Sequence, residues 1–72
     1  MHKAKLTHKD FAAIEARGAV VHFELASVRR DGDYFLMEGV SGVHTLMRSA
    51  TDLERLNAHW LGFITKNRYP KQ

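Results

Sequence analysis

The stretch 19–49 restricts the fold of this chain more than any other. It strings β-branched and aromatic residues into short runs and breaks them with Arg30-Asp31-Gly32-Asp33 and Gly39-Val40-Ser41-Gly42. Short runs of this composition, bounded by glycine-bearing turns, read as strands joined by hairpins. The sequences on either side carry helix signals. The chain is therefore expected to be α+β: a two-layer αβββα domain whose three-stranded antiparallel meander carries both helices on one face.

Alternation sets the faces. In a strand over residues 19–29, Val21, Phe23 and Leu25 point one way and His22 and Glu24 the other. The second run, residues 33–38, is apolar on both sides, so the turn has to orient it. A three-residue loop, Arg30-Asp31-Gly32, puts Gly32 at the left-handed bulge position and pairs Leu25 with Met37. Val21, Phe23, Leu25, Phe35 and Met37 then share the inner face, whereas a two-residue Asp31-Gly32 loop would divide them. The same loop logic at Gly39 adds Val43 and Met47 to that face. The opposite, open face then carries His22, Glu24, Ala26, Val28, Tyr34, Leu36, Glu38, His44, Leu46 and Arg48.

The flanking helices have clear ends. Thr7 caps the first, Asp10 at its third position completes a capping box, Leu6 staples to Phe11, and Gly18 stops it. Thr51-Asp52-Leu53-Glu54 repeats the box pattern ahead of the second helix, where Leu53, Leu56, Trp60, Phe63 and Ile64 recur at helical spacing. Trp60 lies on that stripe and is expected in the core. Gly62 weakens the helix interior and suggests a close approach to the sheet. Pro70 ends the helix by Tyr69.

The chain of 72 residues is one domain, 1–72, with flexible tails expected at 1–5 and 70–72. There is no cysteine, so disulfides and thiolate metal sites are excluded, and a cytoplasmic setting fits. No apolar run reaches membrane-spanning length, and no apolar stretch follows the basic start, so neither a membrane span nor a signal peptide is expected. The net charge of +3 is uneven: the acids all lie in residues 10–62, while the ends are basic.

Chemistry-bearing motifs are missing from the sequence. No nucleophile elbow, phosphate loop, acidic metal loop or His-x3-His pair occurs, so no enzyme activity, cofactor or metal is expected. Glu24, Glu38 and His44, with His22 nearby, would line one end of the open face. Two carboxylates and two imidazoles suit a divalent ion, but a solvated sheet end with His44 partnering Glu38 is the preferred reading.

The open face is the feature that suggests function. Val28, Tyr34, Leu36 and Leu46 form its apolar middle, with Arg30 and Arg48 beside them, and uncovered apolar patches mark contact surfaces. These six residues are the expected partner-binding set of a small non-catalytic protein-binding module, an inhibitor or adaptor acting on a protein or nucleoprotein. In size and build the chain is similar to small phage and mobile-element proteins that block host nucleases, anti-CRISPR proteins among them. A homodimer through the two open faces is a further option. The alternative is a nucleic-acid binder using Lys3, Lys5, Arg29, Arg30, Arg48, Lys66 and Arg68, with Tyr34 stacking on a base.

Overall fold

The computed structural model describes residues 5–68, with the backbone alone for Arg68. Lys3, the tail segments 1–4 and 70–72, and the expected helix end at Tyr69 lie outside the described residues. The elements run α1 (His8–Arg17), β1 (Val21–Phe23), β2 (Ala26–Asp31), β3 (Tyr34–Gly39), β4 (Gly42–Met47), a 3-10 turn (Arg48–Ala50) and α2 (Leu53–Arg68). The domain is α+β, and its sheet is a four-stranded antiparallel meander in the order β1-β2-β3-β4.

The expected three strands become four because the first one folds back on itself. Phe23 pairs with Ala26, leaving Glu24 and Leu25 as a two-residue turn. Glu24 takes φ 51°, the only positive φ outside glycine among the described residues. A positive φ at the first central position matches the twist of a two-residue hairpin. Neither residue is of a type that favours such a turn, so composition gave no warning. Leu25, expected inside, is 52% exposed at the tip.

That turn resets everything downstream. Ala26 and Val28 now point inward, and β2 meets β3 with Val28 opposite Met37 rather than Leu25 opposite Met37. The β2–β3 loop is Gly32-Asp33, one residue shorter than expected, with Gly32 at φ 63°. The β3–β4 connection places Val40 and Ser41 between paired Gly39 and Gly42, and Phe35 faces Leu46. Phe35 and Met37 are buried as expected, but Val43 and Met47 turn outward and stand 62% and 50% exposed.

The core forms where these inward residues meet both helices. Phe23, Ala26, Val28, Phe35 and Met37 share one buried cluster with Leu6 and Ile14 at the N-terminal end and with Leu56, Trp60, Phe63 and Ile64 of α2. Each large apolar side chain so buried contributes roughly 1.5–3 kcal/mol relative to exposure. Phe11, half-buried, brings its ring to 5.6 Å from that of Phe35.

Helix ends follow local chemistry. The α1 capping box is present: Thr7 Oγ1 accepts from the Asp10 amide at 3.1 Å, and Asp10 Oδ2 accepts from the Thr7 amide at 3.0 Å. Gly18 closes the helix in the left-handed conformation at φ 64°. The α2 cap is Asp52 rather than the expected Thr51. Asp52 Oδ1 accepts from the Arg55 amide at 2.9 Å, while the Thr51 hydroxyl donates to the Met47 carbonyl at 2.6 Å. The 3-10 turn uses up the chain before Thr51 and shifts the helix start by one residue.

Two asparagines on α2 tie the layers together. Asn57 pairs with the backbone of Leu6 in both directions, accepting at 2.7 Å and donating at 2.9 Å. Asn67, 1% exposed, accepts from the Ser41 amide at 2.9 Å and donates to the Phe63 carbonyl at 2.8 Å.

Candidate interaction surface

The side of the sheet away from the core is lined by residues of odd number on β2 and β4 and of even number on β3. Tyr34 lies directly opposite Met47, Leu36 opposite Thr45 and Glu38 opposite Val43. Tyr34, Met47 and Val43 are 45%, 50% and 62% exposed. Leu36 forms the floor between them at 9%. It is covered from the β2 side by Arg29, which lies opposite it and reaches diagonally to Glu38, Nε to Oε1 3.5 Å. The Arg29 stem thus lies along apolar surface while its head stays wet.

The expected partner-binding set divides between the two faces. Tyr34 and Leu36 are on the open face as expected. Val28 is fully buried in the core, and Leu46 packs against that core from β4. Both moved because the Glu24-Leu25 turn and the shorter loops changed the register by an odd number of residues, which exchanges faces. Val43 and Met47 take their place on the open side. Alternation by itself could not have found them, since it gives parity only once the turns are known.

Arg30 and Arg48 also face the helix side, where both meet Glu15 of α1. Arg30 Nη1 donates to the Glu15 carbonyl at 3.1 Å. Arg48 Nε lies 3.2 and 3.3 Å from the two Glu15 carboxylate oxygens, and Nη2 completes the fork on Oε1. The bond to Glu15 raises the Arg48 pKa above its ordinary value; desolvation opposes it, and the charges of Glu15 and Asp33 add to it. Of the residues proposed for a nucleic-acid surface, Arg29, Arg30 and Arg48 are therefore engaged within the domain. Lys5 and Lys66 are exposed, and the Arg68 side chain and Lys3 lie outside the described residues.

The expected row of Glu24, Glu38 and His44 is dispersed. Glu38 stays on the open face with Arg29, and Glu24 sits in the β1–β2 turn. His44 turns to the helix side, where its Nε2 lies 3.2 Å from Nδ1 of His59 on α2, the rings within 19° of parallel. His44 thus partners His59, not Glu38. This pair edges a recess of about 300 Å³ shared with Ser41, Gly62 and Lys66. Among the described residues, no group of three or more His, Cys, Asp or Glu is placed to hold a metal ion, and no helix is long and apolar enough to cross a membrane.

Comparison of the chain with protein-family models, with curated proteins and with solved structures finds no match.

Proposed function

We infer that this is a small non-catalytic protein-binding module that presents the open face of its sheet to a protein or nucleoprotein partner. The observation that carries the reading is Tyr34 beside Met47, with Val43 two rungs further along the same face, three large apolar side chains 45–62% exposed opposite the core. The core already fills the other side, so burying these residues adds nothing to the fold of the single chain. Exposed apolar area concentrated on one flat face, with the charged Arg29–Glu38 pair at its margin, has the anatomy of a contact patch.

An inhibitor or adaptor role of the phage or mobile-element kind is consistent with the size and the lack of chemistry in the sequence. The nucleic-acid reading draws less support, because three of its arginines are occupied by Glu15 and Glu38.

The test is affinity capture with the wild-type chain beside Tyr34→Asp and Met47→Asp, both placed on exposed positions that leave the core intact. A partner recovered by the wild type and lost by both variants, with unchanged melting temperature, supports the reading. A partner retained equally by all three removes the open face from consideration.

A further inference from the structure

The edge of the sheet formed by β4 carries a second surface, built from backbone rather than side chains. The Arg48 amide donates to the Asp33 carbonyl at 2.9 Å, continuing the pairing in which Tyr34 faces Met47. Antiparallel ladders alternate between pairs that exchange hydrogen bonds and pairs that do not. This one bond therefore sets the parity of the whole strand. Gly42, His44 and Leu46 direct their amides and carbonyls to β3, and Val43, Thr45 and Met47 direct theirs outward from the sheet edge. The Met47 carbonyl is taken by the Thr51 hydroxyl. The amides and carbonyls of Val43 and Thr45 have no such partner among the described residues.

Open edges of this kind are usually blunted by lysine, proline, a bulge or extreme shortness. β1, at the far edge, is only three residues long. β4 has six residues, Gly42-Val-His-Thr-Leu-Met47, with no charge and no proline, and is exposed along nearly its whole length. Among the described residues, it is the edge left unprotected.

The free groups are complementary to themselves. In an antiparallel pair centred on His44, Val43 of each copy lies opposite Thr45 of the other. Each such pair exchanges two hydrogen bonds, so every free amide and carbonyl of both residues in both copies is used. A two-fold axis through His44 requires this arrangement and no other. Two β-branched side chains, Val43 and Thr45, then meet across the seam on the open face, a favourable cross-strand pairing. No charged side chain of β4 opposes another, and on the helix side each His44 remains tied to its own His59.

We propose that two copies of this chain associate through β4, edge to edge and antiparallel, joining their four-stranded sheets into one continuous sheet about a two-fold axis at His44. The interaction rests on the backbone of Val43 and Thr45, so it stands whether or not Tyr34 and Met47 have a partner of their own.

Sedimentation or light scattering of the full chain over a concentration series tests it. The wild type shifts from the 8.2 kDa of one chain toward twice that mass as concentration rises. Thr45→Pro removes an outward amide without touching the bonds to β3, and Thr45→Lys puts a charge on the seam. Each weakens association by roughly tenfold or more, while circular dichroism is unchanged for Thr45→Lys. Met47→Asp, on the open face beyond the seam, leaves association in place. A single-chain mass at millimolar concentration overturns the proposal. So does a dimer that survives Thr45→Lys but is lost in Met47→Asp, or growth into larger oligomers that no two-fold axis would close.

Discussion

A Cβ added to Gly39 would lie 2.1 Å from Oδ1 of Asn67, so the turn after β3 and the last turns of α2 are built against each other. The glycine is needed there for space, and the amide it admits holds the Ser41 backbone. Gly39→Ala is expected to lower stability by about 1–3 kcal/mol through overpacking. Asn67→Ala is expected to cost about 1–3 kcal/mol, since it removes the partner of the Ser41 amide and empties a fully buried side-chain volume. The double variant should lose less than the sum, because the truncated Asn67 no longer collides with the new methyl. Urea melts of the four proteins check this, and strict additivity would refute the contact.

Gly62 and Gly32 should respond in opposite directions to the same substitution. A Cβ at Gly62 meets nothing within 4 Å, and the residue lies inside α2 with ordinary helical geometry. Gly62→Ala is expected to raise stability by about 1 kcal/mol, the difference in helix propensity. The close approach to the sheet that its sequence position suggested is not made. Gly32 also has open space around it but holds φ +63°. Gly32→Ala is expected to cost roughly 1–2 kcal/mol of left-handed strain. Thermal melts of both variants separate backbone conformation from packing.

The fork between Arg48 and Glu15 links the end of β4 to α1 across 33 residues of chain. Both side chains remain about a third exposed, at 31% and 26%, so solvent screens the pair. A double-mutant cycle with Arg48→Ala and Glu15→Ala should give a weak coupling that shrinks with added salt. The raised Arg48 pKa acts on stability only from above. A basic group with a raised folded pKa stabilises fully below its unfolded value and loses that contribution as pH climbs past the folded one. No decline from Arg48 should therefore appear at neutral or mildly alkaline pH.

Asn57 holds Leu6 as a neighbouring strand would, one bond in each direction. Asn57→Leu keeps the branched shape and removes both bonds. It is expected to cost about 1–3 kcal/mol and to speed hydrogen exchange at the Leu6 amide relative to amides in the centre of α1. Equal rates in wild type and variant would mean that burial of Leu6 alone anchors this segment.

Much of the helical framework was legible in advance. The Thr7–Asp10 box, the Gly18 stop and the stripe from Leu56 to Ile64 all depend on contacts within a few residues, which a linear reading captures. Phe35 and Met37 came out inside for a different reason: the missed Glu24-Leu25 turn exchanged the faces of β2, the shorter Gly32-Asp33 loop exchanged them back, and the two errors cancelled. The candidate surface was less legible. Tyr34 and Leu36 were found, Val43 and Met47 were assigned to the core, and Val28 and Leu46 were assigned to the surface. All four errors have one origin in the count of residues used by the turns.

What the sequence determined by itself is therefore local: where helices begin and end, which segments extend, and which side chains alternate. Tertiary structure decided what alternation leaves open. The Glu24-Leu25 turn carries no glycine, asparagine or aspartate, and forms because it lets Ala26 and Val28 enter a core that Leu25 would otherwise have had to fill. Asn57 and Asn67 became structural only once α2 lay beside Leu6 and Ser41. A strand's pattern repeats every two residues, so one residue gained or lost in a turn exchanges its faces, and only the packing of the whole domain selects between the two.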